Sequence, residues 1–151
     1  MAEAGLGRGP TASQAAGLTL VAARRIIDTV EAAAREMAVP MSVAVVDAGD
    51  QLVAFERMDG ADLVTIDLAR DKAFSALMNR MPTADLAPLV QPGAEFYGYD
   101  SLAGGRMIVF AGGMPLERDG VLVGAIGVSG GSAEQDQRAA EAGVTAFGQR
   151  E

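Results

Sequence analysis

Residues 112–136 place a tight turn, a buried strand, a glycine-rich corner and the start of a helix in one continuous stretch. Within it, positions 121–128 are almost entirely apolar, which is typical of a strand covered on both faces. Gly124 and Gly127 interrupt this run, and glycine inside a strand indicates that another backbone or a ligand lies close by. The Asp-Gly dipeptide directly before the run predicts a hairpin with the preceding strand. The segment therefore predicts a central hairpin strand that leads directly into a helix.

The glycine-rich corner after this strand, residues 127–131, resembles an anion-binding loop because it precedes a helix N-terminus. Its spacing matches neither the dinucleotide-binding fingerprint nor the Walker loop. Glu134 and Asp136 in the first helical turn would complement the helix dipole and repel a phosphate. Ser132 and Gln135 also have the spacing of a capping box. The stretch therefore predicts a sharp strand-to-helix corner rather than a phosphate site.

The composition of the 151-residue chain narrows its partners and its chemistry. Half of the residues are apolar, which predicts one domain with a substantial core and with surface hidden in a homo-oligomer. The net charge of −8 argues against nucleic acid and anionic membranes as partners, and no apolar run is long enough to span a bilayer. With no Cys and no His, the chain lacks thiol chemistry and the commonest metal ligand, so we predict no metal site. Acid–base chemistry would use carboxylates, Lys or Tyr.

Residues 1–14 are rich in Gly and Ala and lack the apolar segment of a signal peptide. We predict that they form a flexible N-terminal tail on a cytoplasmic protein. The rest of the chain, residues 15–151, has no internal repeat or linker that would divide it, so we predict a single domain.

Hydrophobic periodicity predicts the order of the secondary structure. Helical spacing of apolar residues predicts helices over about 14–38, over about 62–79, in a short turn at 83–90, and after residue 132. Alternating or continuous apolar runs predict strands at 41–47, 52–58, 106–111, 114–117 and 121–128. Because the strands form a hairpin and a meander without regular alternation with helices, they predict an α+β fold with an antiparallel sheet.

Lys72 is the unusual residue of the second long helix. Its neighbours at helical spacing include Leu68, Ala69 and Ala76, so it has no local acidic partner. One interpretation is that the side chain points into a pocket, where desolvation would lower its pKa. The other is that its stem covers the alanines while the ammonium reaches water. The sequence favours neither.

Residues 91–105 form a long segment without regular periodicity. Such segments are uncommon inside a compact domain and often have a function. Both tyrosines of the chain, Tyr97 and Tyr99, lie here beside Glu95 and Phe96. The segment could form the wall of a small-molecule site or pack its rings in a subunit interface, and both interpretations stay open.

Several stretches, in order along the chain, resemble the GlcG/HbpS family, which also supplies the C-terminal domain of PduO-type corrinoid adenosyltransferases. They are AVVDAGDQLVAFERMDGA at 44–61, ARDKAFSA at 69–76, PGAEFYG at 92–98, GGMPLERDG at 112–120 and VGAIGVSGGSAEQDQRAAEAG at 123–143. The resemblance implies a profilin-like α+β fold, with a five-stranded antiparallel sheet flanked by helices and assembled into oligomers. It also implies binding of haem or related ligands.

The resemblance also implies a set of candidate ligand-binding residues. They are Arg57, Lys72, Glu95, Phe96, Tyr97, Gly112, Gly113 and Ser129. Family members that hold haem through His have no counterpart residue in this chain. A haem bound here would therefore use Tyr, Met, Lys or another oxygen donor as its axial ligand, or would be held by apolar contact alone.

Two hypotheses of function follow. In the first, a cytoplasmic homo-oligomer binds haem or another flat or carboxylated small molecule, whose carboxylates contact Arg57 and Lys72. In the second, the same fold is a cofactor-free enzyme for an isomerisation, cyclisation or hydration. Lys72 or Glu95 would then be the base and Tyr97 or Tyr99 the acid, and Arg57 would stabilise an oxyanion. A third interpretation is a structural partner domain without a pocket.

Overall fold

The computed structural model describes residues 9–149, which form one four-stranded sheet with helices packed against it. The helices are α1 (Ala12–Ala15), α2 (Leu20–Glu36), α3 (Val64–Asn79), α4 (Thr83–Leu86) and α5 (Ala133–Gly148). The strands are β1 (Ser42–Asp47), β2 (Leu52–Arg57), β3 (Gly113–Arg118) and β4 (Val121–Ser129). Short 3-10 helices lie at Ala87–Leu89 and Tyr99–Gly105.

Neighbouring strands of the sheet are all antiparallel, in the order β2-β1-β4-β3. The predicted α+β class, with an antiparallel sheet flanked by helices, is confirmed. The predicted number of five strands is wrong, because the sheet within residues 9–149 has four. The profilin-like fold that the resemblance implied stays a prediction.

Residues 106–111, which we expected to form a strand before β3, do not pair with the sheet. Part of their backbone bonds to α3 instead. The Ser75 hydroxyl accepts a hydrogen bond from the Ile108 amide at 2.7 Å and lies 3.1 Å from the carbonyl oxygen of Arg106. Because a helix side chain accepts from the Ile108 amide, this amide needs no strand partner, and the segment can run beside α3.

The hairpin predicted between β3 and β4 is confirmed, and Asp119 and Gly120 turn the chain with φ values of +52° and +77°. The glycines of β4 make the close approaches that the sequence predicted. A Cβ on Gly127 would overlap the carbonyl oxygen of Ala69 in α3, and a Cβ on Gly124 would overlap a carbonyl oxygen of β1. The missing side chains therefore let a helix and a strand pack closely against β4.

The helices form two layers. On β4, Gly127 faces α3, whereas its neighbours Ile126 and Val128 join an apolar core with residues of α2 and α5. Because successive strand residues point to opposite faces, α3 covers one face of the sheet, and α2 and α5 cover the other. No helix within residues 9–149 is long and apolar enough to cross a membrane.

The first long helix begins later than predicted. The chain turns at Gly17 with a φ of +101°, and Leu18 inserts into the core with no exposed surface. Thr19 then caps α2, since its hydroxyl accepts a hydrogen bond from the Ala22 amide at 3.1 Å. The late start therefore reflects a core residue and a cap that together set the first helical turn.

The predicted N-terminal tail, residues 1–14, lies partly outside the described residues, which begin at residue 9. Helix α1 lies in its last part, where Ser13 is buried. The Ser13 hydroxyl accepts a hydrogen bond from the Ala48 amide at 3.1 Å, which joins α1 to the turn after β1.

Candidate functional site

Lys72 lies in the middle of α3, and only 1% of its side chain is exposed. Its Nζ donates one hydrogen bond to Asp136 Oδ2 at 2.7 Å and another to the carbonyl oxygen of Val128 at 3.0 Å. The ring of Phe110 lies beside the ammonium, with its centroid 5.1 Å from Nζ. The side chain is thus buried, as the pocket interpretation required, but its partners are a carboxylate, a carbonyl and a ring of the protein itself.

Asp136 holds Lys72 from the first turn of α5, and 4% of its side chain is exposed. Its other oxygen, Oδ1, accepts a hydrogen bond from the Gly131 amide at 2.8 Å. Gly131 belongs to the corner between β4 and α5, where the predicted capping box of Ser132 and Gln135 is confirmed. Because α3 and α5 pack on opposite faces of the sheet, the ion pair joins the two layers.

The charge state of Lys72 depends on this pairing. Burial lowers the pKa of the Lys72 ammonium from its ordinary value of 10.5, and the Asp136 carboxylate opposes that shift. A buried charge without a partner is strongly unfavourable, so the contact with Asp136 at 2.7 Å stabilises the ammonium form. To act as a base, Lys72 would first have to lose a proton, which the contact with Asp136 disfavours.

Gly112 and Gly113 pass directly over Lys72. Gly112 has a φ of +120°, and a Cβ there would come within 2.9 Å of Lys72 Nζ. A Cβ on Gly113 would overlap the Lys72 carbonyl oxygen, and the Gly113 amide donates a hydrogen bond to Thr83 Oγ1 at 2.9 Å. Both glycines are buried, and the absence of a side chain at each position leaves room for Lys72 and α3. Their role in binding a ligand stays a prediction.

Arg57 and Ser129 lie at the opposite ends of one row of the sheet, each paired with Ser42 of β1. Arg57 is exposed at the end of the edge strand β2, whereas Ser129 is buried. The Ser42 hydroxyl bonds to Thr65 at the start of α3, with 2.8 Å between the two oxygens. This row is next to the Lys72 contact at Val128, but it is separate from the residues predicted in segment 91–105.

Segment 91–105 forms one side of an apolar pocket at the C-terminal end of α3. The pocket has a volume of about 210 Å³. Phe96 and Tyr99 line it with ring centroids 6.1 Å apart and ring planes inclined by 60°. Its other wall residues are Asn79, Met81, Leu86, Leu89 and Val90. Glu95 and Tyr97 are exposed next to this wall and are not part of it.

The pocket and the Lys72 pair are distinct places. Asn79, the pocket residue on α3, is seven positions after Lys72, which corresponds to about 10 Å along the helix axis. The structure therefore brings Lys72 together with Gly112 and Gly113, and it brings Phe96 together with Tyr99. It does not bring these two groups of predicted residues into one site.

One polar pair interrupts the apolar wall of the pocket. The Tyr99 hydroxyl donates a hydrogen bond to Asn79 Oδ1 at 2.6 Å. Asn79 Nδ2 in turn donates to the carbonyl oxygen of Ser75 at 2.8 Å and to Met107 Sδ at 3.1 Å. A few oriented polar groups in an apolar wall are typical of small-molecule pockets.

Sequence reasoning singled out Phe96 and Tyr99 but missed the rest of the pocket wall. A signal was present, because Leu86, Leu89 and Val90 are spaced by three and four positions as on one helical face. This stripe predicts that the segment buries one side. It does not show that the side faces residues 91–105 and leaves a space between them.

Comparison with known proteins identifies the relatives of this chain. The model of the family described as "Haem degrading protein HbpS-like" matches residues 18–145. An uncharacterized 15.0 kDa protein from the dhaT-dhaS intergenic region of Citrobacter freundii is 40% identical over 134 residues, which cover 89% of this chain and 94% of that protein. The corrinoid adenosyltransferase PduO of Salmonella typhimurium is 42% identical over 114 residues, which cover 76% of this chain. These residues make up 34% of PduO, so the chain spans about a third of that relative.

A solved structure of similar fold is the PduOC:haem complex. It matches with a TM-score of 0.82 and 37% sequence identity, and the match covers 85% of this chain and 94% of that chain. Fold and pocket together define a small α+β protein with an apolar pocket at the C-terminal end of α3. The chain belongs to the HbpS-like family, which confirms the resemblance found in the sequence.

Proposed function

We propose that the protein binds a small, flat and largely apolar ligand in the pocket between α3, α4 and residues 91–105, and that haem is one candidate. The observation that carries this proposal is the apolar wall with one oriented polar pair, a composition typical of ligand pockets. Membership of the HbpS-like family and the haem bound by PduOC support the choice of a flat ligand.

The wall residues fit one edge of a porphyrin better than a whole haem. The pocket volume of about 210 Å³ lies below the roughly 300–1,000 Å³ of pockets that enclose drug-sized ligands. Tyr99 and Met81 are the wall residues whose oxygen or sulfur could ligate iron. Within residues 9–149, no three acidic side chains cluster closely enough to hold a metal ion. Arg57 and Lys72, which we expected to contact the carboxylates of a ligand, are not among the wall residues.

We also propose that the protein is a homo-oligomer in which a second copy extends this pocket. Large exposed apolar side chains occur in or close in sequence to its wall residues, at Met78, Leu89, Phe96, Tyr97 and Leu102. Exposed apolar surface of this kind is commonly covered by a partner, and a second copy would enlarge the small pocket. In sedimentation equilibrium, we expect a dimer or larger species that Leu102→Glu weakens. A wild-type protein that stays monomeric at every concentration would contradict this proposal.

Titration with hemin tests the binding proposal. We expect a saturable shift of the Soret band in the wild-type protein. Leu89→Glu puts a carboxylate into the apolar wall, and we expect it to weaken hemin binding by about tenfold or more, or about 1.4 kcal/mol.

The matched control is Leu52→Glu on the edge strand β2. Leu52 is 49% exposed and Leu89 is 39% exposed, so both changes place a charge at a similarly exposed position. Only Leu89 lines the pocket, and Leu52→Glu should keep the wild-type affinity. The absence of a saturable shift in the wild-type protein would refute haem as the ligand, and an equal loss of affinity in both variants would refute the pocket as its site.

A further inference from the structure

The Asn79 side chain in the pocket wall is fixed in one orientation. Its Nδ2 lies 2.8 Å from the Ser75 carbonyl oxygen and 3.1 Å from Met107 Sδ, and both of these atoms only accept hydrogen bonds. The opposite orientation would place the Asn79 oxygen against the Ser75 carbonyl oxygen, where two acceptors would repel each other. Both protons of Nδ2 are therefore used, and Oδ1 is the atom that faces Tyr99.

Tyr99 must consequently act as the donor in its bond to Asn79. A tyrosine hydroxyl has one proton, and Asn79 Oδ1 at 2.6 Å is an acceptor that takes it. What remains available on Tyr99 is the lone pairs of its oxygen, and Oδ1 of Asn79 keeps a second lone pair. The polar part of the wall can therefore accept hydrogen bonds from a ligand, but it has no free proton to donate.

The charges next to the wall also disfavour a ligand group that is negatively charged. Asp85, Glu95 and Asp100 are exposed, and each is adjacent in sequence to a wall residue. The cationic residue that is likewise exposed and adjacent in sequence to wall residues is Arg80, between Asn79 and Met81. Among the residues adjacent in sequence to the wall, three carboxylates therefore stand against one guanidinium, and this net negative charge disfavours an anionic ligand.

The volume of the pocket sets the size of the group that can enter. An apolar protein cavity of about 150 Å³ is sufficient to bind benzene. The pocket of about 210 Å³ therefore has room for one six-membered ring with a small substituent or two.

We propose that the pocket selects a single aromatic ring that carries a hydrogen-bond donor, such as a phenol or an arylamine, over the corresponding carboxylate. The ring packs against Phe96 and the aliphatic wall, and the O–H or N–H of the ligand donates to the Tyr99 oxygen. This inference rests on the proposed function in using the same pocket, and it specifies the chemistry of the group that enters.

Three small probes of similar size test this selection on the full chain by isothermal titration calorimetry. They are 4-methylphenol, 1,4-dimethylbenzene and benzoate. We expect 4-methylphenol to bind about fivefold tighter than 1,4-dimethylbenzene, which corresponds to one neutral hydrogen bond of about 1 kcal/mol. Benzoate should bind at least about tenfold more weakly than 4-methylphenol, because its oxygens meet acceptors and negative charge. Equal affinities for benzoate and 4-methylphenol would overturn the inference.

Variants of the polar pair provide a second test. Tyr99→Phe keeps the ring and removes the acceptor, so the preference for 4-methylphenol over 1,4-dimethylbenzene should disappear. Asn79→Leu frees the Tyr99 proton for the ligand, so benzoate should gain affinity relative to 4-methylphenol. The matched control is Tyr97→Phe, because Tyr97 is exposed outside the wall and its loss should leave the preference unchanged. A preference that survives Tyr99→Phe would contradict the role of its oxygen.

The selection and the proposed haem binding fail independently. A saturable Soret shift in a protein that binds benzoate as tightly as 4-methylphenol contradicts the selection alone. Preferential binding of 4-methylphenol without any Soret shift contradicts haem as the ligand and supports the selection.

Discussion

Replacing Asp136 should destabilise the protein strongly, because it leaves a buried ammonium without a counter-ion. In Asp136→Ala, Lys72 would keep only the Val128 carbonyl and the Phe110 ring as partners. Removing one member of a buried ion pair typically costs about 3–5 kcal/mol. Deprotonation of Lys72 limits this loss, since removing the proton at pH 7 from an amine with the ordinary pKa of 10.5 costs about 5 kcal/mol at roughly 1.4 kcal/mol per pH unit. We therefore expect the free energy of unfolding at pH 7 to fall by about 3–5 kcal/mol.

The pH dependence of stability has a definite sign. Burial lowers the pKa of Lys72 in the folded state, so between that lowered value and 10.5 the unfolded chain binds more protons than the folded one. Stability therefore rises with pH within this window. Asp136 opposes the shift and narrows the window in the wild-type protein. In Asp136→Ala the window widens downward from 10.5, and stability should rise with pH by up to about 1.4 kcal/mol per pH unit inside it, which measurements from pH 7 to pH 10 can follow.

Urea unfolding followed by circular dichroism across this pH range measures both effects. The matched control is Arg35→Ala, which removes an ion pair to Glu31 of 2.8 Å in which the Arg35 side chain is 64% exposed. That loss should be about 0.5 kcal/mol or less and should depend little on pH. The reasoning is refuted if Asp136→Ala costs no more than Arg35→Ala, or if its stability falls as the pH rises from about 7 to 10.

Three further changes test the packing and the charges of the fold. Gly127→Ala should destabilise by about 3 kcal/mol or more, because its Cβ would overlap the Ala69 carbonyl oxygen of α3, and urea unfolding measures the loss. Ser75→Ala removes the acceptor of the Ile108 amide and should cost about 1–3 kcal/mol, with faster hydrogen exchange at Ile108. A hydrogen bond to Glu31 of α2, together with burial and repulsion from Glu31 and Asp28, raises the pKa of Glu56 from its ordinary value of 4.5. The contribution of Glu56 to stability is therefore lost as the pH rises above about 4.5. Glu56→Gln should therefore raise the melting temperature at pH 7 and leave it unchanged at pH 3, and an increase of equal size at both pH values would contradict this assignment.

The parts of the fold that the sequence predicted correctly are those with a local cause. The turn at Asp119 and Gly120 depends on two residues that tolerate a left-handed backbone, and the capping box depends on Ser132 and Gln135 at fixed spacing. The strand expected at residues 106–111 fails for the opposite reason. Its apolar pattern is real, but the partner of its backbone is Ser75, more than thirty positions away on α3. Periodicity describes what a segment buries and not which group satisfies its amides.

The same distinction explains what could be predicted about Lys72. Its helical neighbours excluded a local acidic partner, which is correct, and left a pocket or solvent as the alternatives. The actual partner, Asp136, lies 64 positions later, and its place in the first turn of α5 gave it a sufficient local role at the helix dipole. Because Lys72 and Asp136 each have an adequate local explanation, the sequence gives no reason to pair them. Only the packing of α3 and α5 on opposite faces of the sheet brings them together.

This division of the molecule also determines where ligand preference can change without loss of the fold. Next to Lys72 and in the middle of β4 the backbone is crowded, and at Gly127 even one added carbon would meet the backbone of α3. In the segment that closes the pocket, Gly98 has a φ of +90° and no atom within 4 Å of the place where a Cβ would lie. A substitution there strains the local backbone but displaces no core side chain. Changes among the exposed residues of segment 91–105 can therefore alter the pocket while the Lys72–Asp136 pair keeps the two helical layers in place. For this reason, relatives that share the fold at 37% identity need not share a ligand, and the ligand of this chain has to be tested at Tyr99 and Asn79 themselves.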